Sequence, residues 1–213
     1  MRSSRPIPGN PWPHDMEITV KDDSHALLDL LWLREAWRLE PVGDDLPPKL
    51  TATPSPVDAP TRSAAPIGMW RARWPQLWRE CLDHSGKPLN RDVLERLHAS
   101  APRSNERARL LRELVGPSWR EDVGPDAFTE QSAPWMHALY EEQVESSRLP
   151  LREQPESAAL DVLIPAWRSG LTTVVQIPCR GTFTRIIGRH ALLVTSETRS
   201  DRLRYREALA VFR

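Results

Sequence analysis

Two turns in the last quarter of the chain gather the residues best suited to chemistry. Cys179-Arg180-Gly181-Thr182 sets a thiol, a guanidinium and a hydroxyl beside a glycine, and Gly188-Arg189-His190 follows after one short apolar run. The thiolate is the nucleophilic form of cysteine and the charge of Arg180 favours it, so Cys179 is the candidate catalytic residue. A thiol nucleophile also needs a base. In a meandering chain the two turns lie at opposite ends of the intervening strand, about 15 Å apart at ~3.4 Å per residue, so Cys179 and His190 form no dyad. Arginine forks bind carboxylate or phosphate in two-pronged fashion. Arg180, Thr182, Thr184 and Arg185 are therefore expected to form a recognition face for an acidic partner protein or an anionic ligand.

Other patterns are weaker. Cys81-x-x-His84 offers two ligands where a structural zinc needs four, and no second pair sits at matching spacing. His137 and Glu141 are four apart, a spacing that also occurs on ordinary solvated helices. None of the nine glycines falls in a G-x-G-x-x-G or phosphate-cradling loop, and G-x-S-x-G and H-E-x-x-H are absent. Neither metal nor cofactor is expected. Asn105, Arg107 and Arg109 open the second of two short helices with helix-turn-helix proportions. Asp92, Glu95, Glu106 and Glu113 nearly offset the six arginines between Asn90 and Gly116, so a plain helical hairpin is expected and nucleic acid is not. Asp29 and Glu35 lie in an otherwise apolar helix, with Arg34 and Arg38 as salt-bridge partners.

Aromatic usage is skewed: nine tryptophans against two tyrosines and three phenylalanines. Trp70, Trp74 and Trp78 are four apart and could stack on a sugar or base, but core packing is the commoner use of such a stripe. Pro75 in their midst suggests a helix that starts there, because proline suits a first helical position and not an interior one.

The elements that must position these residues follow from periodicity. Leu171 to Ile177, Phe183 to Ile187 and Ala191 to Thr195 read as strands, the last two joined by a two-residue turn at Gly188-Arg189. Met16 to Val20 alternates and could add a fourth strand. Asp22, Asp23 and Ser24 offer caps to a helix from His25 to Leu39 that is apolar almost all round, which buries Trp32 and Trp37. Asn90 and Ser104 cap two further helices, Ser132 to Val144 and Ala158 to Arg168 follow, and Ser200 caps the last. Pro41 to Pro66 holds seven prolines and is expected to lack regular structure.

The 213 residues carry 29 basic and 29 acidic side chains, so no global field draws the protein to nucleic acid or anionic lipid. Lysine occurs only at Lys21, Lys49 and Lys87; with abundant alanine and proline, this looks like the codon usage of a GC-rich bacterial genome. No secretory h-region and no span of roughly 20 apolar residues is present, so the expected compartment is the cytoplasm, with both cysteines reduced. The expected fold is α+β: a mostly helical single domain over residues 16–213, with a small three- or four-stranded antiparallel sheet near the C-terminus. Residues 1–15 are expected to form a disordered tail and 41–66 a proline-rich loop. The favoured function is a non-catalytic interaction or accessory protein. The alternatives are a small enzyme using a thiol or carboxylates at the sheet and a DNA-binding regulator.

Overall fold

The computed structural model describes residues 11–88, 90–117, 123–148, 150 and 153–212. Residues 1–10 of the expected tail lie outside the described residues; beyond them Trp12 is half-buried and donates from Nε1 to the Met16 carbonyl. Four strands form one mixed sheet: β1 (Thr19–Lys21), β2 (Thr173–Ile177), β3 (Thr184–Ile187) and β4 (Ala191–Thr195), in the spatial order β1-β2-β4-β3. β1 runs parallel to β2 and β2 to β4, and only β3 and β4 are antiparallel.

The expected antiparallel sheet is thus corrected to a mostly parallel one within a mostly helical α+β chain. Burial is the reason. β4 reads Ala-Leu-Leu-Val-Thr without alternation and every residue of it is buried; in β2 only Gln176 is partly exposed. Strands covered on both faces belong at a sheet's centre, next to parallel neighbours. β3 buries only Ile187 and takes an edge. The chain therefore leaves β2, passes the end of β4 through residues 178–183, and returns as β3. Because Ile187 pairs with Ala191, the hairpin turn holds Gly188, Arg189 and His190, one residue more than expected.

The helices are α1 (His25–Ala36), α2 (Ala59–Ala64), α3 (Ile67–Ser85), α4 (Arg91–Ala99), α5 (Asn105–Val115), α6 (Ser132–Ser147), α7 (Pro155–Ala158), α8 (Leu160–Arg168), α9 (Ser196–Ser200) and α10 (Arg202–Ala210). Val175, Ile177, Ala191 and Leu193 face one core with α1 and α3, while Val174, Leu192 and Val194 face another with Met16, Ile18, α8 and α10. The sheet is a shared wall between two apolar layers. Trp32 and Trp37 are buried, as the apolar circumference of α1 predicts. Tyr140 on α6 and Val115 at the end of α5 are exposed. In the α4–α5 hairpin Arg107 donates from Nη1 to the Leu97 carbonyl, closing the end of α4. Among the described residues no helix is long and apolar enough to cross a membrane.

Pro75 does not start a helix; it lies inside α3. It deprives the Arg71 carbonyl of its helical donor, but Arg71 lies on the exposed side where water can serve instead. Trp70, Trp74 and Trp78 are all buried, with Trp74 and Trp78 stacked at 5.4 Å and Trp70 edge-on to Trp37 at 4.8 Å. A large apolar side chain contributes about 1.5–3 kcal/mol on full burial, so three indoles outweigh the ~3 kcal/mol an interior proline costs.

The proline-rich segment is largely irregular, but it is fixed and it contains α2, capped by Asp58, and a single bridge from Leu50 to Cys179. Prolines cannot donate to a ladder, yet their carbonyls still accept. Arg34 donates from Nη1 to the Pro47 carbonyl and from Nη2 to that of Pro48, both at 2.6 Å. Glu35 Oε1 accepts from Arg34 at 2.9 Å and from the Leu50 N–H at 3.0 Å. Both charged side chains are about 5% exposed. Glu35→Ala should therefore cost about 3–5 kcal/mol in urea unfolding, because it leaves Arg34 buried and unpaired. It should also speed proteolytic cleavage between Pro47 and Val57 relative to the wild type.

Candidate functional site

Lys21, Ile177 and Thr195 end three parallel strands on one side of the sheet, and ligands of parallel sheets sit outside such carboxyl ends. A cleft of about 620 Å³ opens there. Asp22 follows β1, Gln176 and Pro178 mark the end of β2, and Ser196, Glu197 and Arg199 follow β4. The remaining wall includes Trp12 and Val20, with Leu139 and Glu142 from α6 and Glu156 from α7. Thr51, delivered by the proline-rich segment, also lines it.

A satisfied polar network supports one side. Arg199 donates from Nε to Glu156 Oε1 and from Nη2 to Oε2, both at 2.8 Å, and from Nη1 to Gln176 Oε1 at 3.1 Å. The Tyr205 hydroxyl donates to Glu156 Oε1 at 2.8 Å. Burial alone would push the Glu156 carboxyl up; the Arg199 fork and the Tyr205 hydroxyl outweigh it and hold the group below its usual range. Burial, then the Glu156 charge, pushes the Tyr205 phenol well above its usual value, so Tyr205 is a neutral donor.

Asp22 behaves in the opposite way. Burial pushes its carboxyl up and the neighbouring Asp23 charge adds to this, while its own backbone N–H and the Arg199 charge only partly offset them. Of the three candidates to cap α1, Ser24 occupies the cap position, though its side chain accepts no cap hydrogen bond.

None of Cys179, Arg180, Thr182, Thr184, Arg185 and His190 lines this cleft, and they form no reactive group. Cys179 is fully buried, and burial pushes its thiol up to about 12, with Arg34 lowering and Glu35 raising it. It is neither accessible nor ionised at neutral pH, and His190 sits at the other end of β3, its Nδ1 3.1 Å from the Gly170 carbonyl. Burial also pushes the Cys81 thiol up to about 12. Arg180 is exposed, but its Nε donates to the Leu50 carbonyl at 2.8 Å and its Nη2 reaches the Thr51 carbonyl and Thr53 Oγ1 at 3.3 Å. Arg185 lies 3.8 Å from Asp45. Thr182 is exposed in the 178–183 connection and Thr184 is half-buried where β3 begins. Both arginines are thus engaged by their own chain. His84 sits 3.0 Å from the Glu113 carbonyl, and His137 and Glu141 form an exposed pair at 3.5 Å. Among the described residues no group of three or more His, Cys, Asp or Glu is placed to hold a metal.

Asp22, Glu156, Gln176, Arg199 and Tyr205 were missed as a set. One signal was available: Gln176 is a lone polar residue in Val-Val-Gln-Ile, a run otherwise suited to complete burial. Had β4 been recognised as a central parallel strand, the residues just after it would have stood out. Comparison with family models, with curated proteins and with solved structures finds no match for this chain.

The two carboxylates should titrate stability in opposite directions. Glu156, depressed in the folded state, contributes stability that is present above the ordinary carboxylate pKa of about 4 and lost as pH falls through its folded value. Glu156→Gln should cost about 3–5 kcal/mol at neutral pH, with the gap to wild type narrowing in acid. Asp22, raised, penalises the folded state once pH exceeds its folded value. Asp22→Asn should raise the melting temperature at pH 7, and the gain should disappear below about pH 4, where both states of the wild type are protonated. Thermal melts across pH 3 to 8 test both.

Proposed function

We propose that the protein is a non-catalytic binding protein whose cleft receives a small polar ligand, and that it serves as an accessory factor through that ligand. The position of the cleft carries this reading: three parallel strands end at it and leave Asp22, Gln176 and Ser196 beside the apolar surfaces of Trp12, Val20 and Leu139. A cavity of several hundred Å³ that sets many polar groups beside apolar surface is of a size and make-up to hold a small polar molecule. The absence of catalysis is inferred from how the strongest acid–base groups are used. Glu156, Arg199 and Tyr205 satisfy one another, and both thiols are buried. Recognition of an acidic partner by Arg180, Thr182, Thr184 and Arg185 is less well supported, because the donors of Arg180 already serve the Leu50 and Thr51 carbonyls.

A second reading, an enzyme working through carboxylates, is favoured by Asp22 alone. A carboxyl pushed up by burial can carry a proton closer to neutral pH, as a general acid or base must. Conversion of a bound compound by wild type, abolished in Asp22→Asn while binding persists, would move the assignment to that class.

The test is a thermal-shift screen of chemically diverse polar small molecules. A ligand at one hundred times its dissociation constant stabilises by about 2.7 kcal/mol, or roughly 5–10 °C for a chain of this size. Ser196→Trp, which fills the cleft, should remove the shift while leaving the circular dichroism unchanged. A screen without shifts, or shifts that survive this substitution, would refute the proposal.

A further inference from the structure

We propose that α6 is a lid, a wall of the cleft that swings outward to admit the ligand and is held shut by hydrogen bonds at the cleft's rim; the purpose of the motion rests on the binding reading above. The walls of this cavity are unequally anchored. Glu156, Gln176, Arg199 and Tyr205 lock β2, α7, α9 and α10 to one another through buried or half-buried side chains. Leu139, Glu142 and Gln143 bring α6 into another part of the wall. Over residues 132–145 of that helix Leu139 alone is buried, whereas α1 buries nine of its twelve residues. An element that uncovers so little apolar surface on leaving the body is one that opens locally, well short of global unfolding.

The inward face of α6 is a narrow stripe. Trp135, Leu139 and Gln143 recur every four residues and so share one side of the helix. Trp135 leans on the core formed with α1 and α3 and donates from Nε1 to the Ala52 carbonyl at 2.9 Å. Gln143 donates from Nε2 to the Asp22 carbonyl. Leu139 sits between these two clasps. Both acceptors are backbone carbonyls near the surface, where water can replace the lost donor and the net cost of release is small. The opposite face carries His137, Tyr140 and Glu141 into solvent, so outward movement displaces only water among the described residues. Gln143 and Asp22 both line the cavity, which lets a bound molecule bear on that clasp directly and couples occupancy to closure. Closing a mobile wall over a ligand excludes water and delays its escape.

Distances between paired nitroxide labels, measured by electron spin resonance on the full chain, test the lid without any ligand. Both native cysteines are buried, so the labels go to introduced ones. Glu141→Cys on the outer face of α6 is paired with Leu203→Cys on α10, and Met69→Cys on α3 with Leu203→Cys serves as a reference across the sheet; all three positions are exposed. Trp135→Phe removes one clasp and keeps a ring, and Gln143→Met removes the other and keeps the length. Together they should at least double the share of long distances in the α6 pair, while the reference pair and the circular dichroism stay unchanged. Trp135→Phe alone should move the α6 pair in the same direction. An α6 distribution that these substitutions leave as it was would overturn the lid and leave the binding cleft standing. Lengthening of both pairs together would be a loosening of the whole fold and would overturn it as well. The thermal-shift screen decides the other question: without a hit the binding reading falls, and the lid loses its purpose, whatever the distances show.

Discussion

A buried ion pair between two neighbours on α1 holds the proline-rich segment against the sheet. Desolvating Arg34 and Glu35 costs several kcal/mol each, and their mutual contact offsets that only if the remaining donors and acceptors are also met. The proline-rich segment meets most of them, although the buried Arg34 Nε has no partner among the described residues. Two proline carbonyls take the guanidinium, the Leu50 N–H takes the carboxylate, and the Trp74 ring lies 5.5 Å below the guanidinium carbon. From there the consequences run outward. Leu50 bridges to Cys179, Arg180 grips the Leu50 and Thr51 carbonyls, and Thr51 thereby reaches the cleft. A segment whose composition signals disorder is ordered because its backbone supplies most of the hydrogen bonds that a buried charge pair needs.

The second acid–base pair works on the other layer. Glu156 and Arg199 join the start of α7 to the helix that follows β4, and Gln176 brings in β2. Tyr205 anchors the same carboxylate from α10. The two pairs therefore secure the cleft from both sides of the sheet, one through backbone carbonyls and the other through side chains. Thr195 and Thr198 fasten the connection between β2 and β3 by accepting from the Phe183 N–H and donating to the Gly181 carbonyl. Much of the machinery around the cavity is there to hold its shape.

Local signals in the sequence were reliable at most single elements, although Asp201 and not Ser200 caps the final helix. The strand positions near the C-terminus, the caps at Asn90 and Ser104, and the burial of Trp32 and Trp37 all follow from periodicity and short-range chemistry. Sheet direction did not, because consecutive strands suggest a meander, and the opposing cue was the unbroken apolar run of β4. The site was mostly illegible for the same reason. Asp22, Glu156 and Arg199 converge only once β1, β2 and β4 lie parallel. Arg180 misled because nothing nearby in sequence reveals that carbonyls from residues 50 and 51 will reach it. Pro75 misled because helix propensity was set against three indoles whose burial is a tertiary fact.

The pairing of β1 with β2 joins residues separated by about three-quarters of the described span, Thr19 beside Thr173. During synthesis α1, apolar around most of its circumference, emerges long before Val175, Ile177 and Leu193 exist to cover it. More than half of the sequence is still to be made when that helix emerges. Sheet closure is then a late event dominated by non-local contacts, which makes folding slow relative to helical bundles of similar stability. The interval between the emergence of α1 and the arrival of β4 is the period in which this protein is most exposed to aggregation.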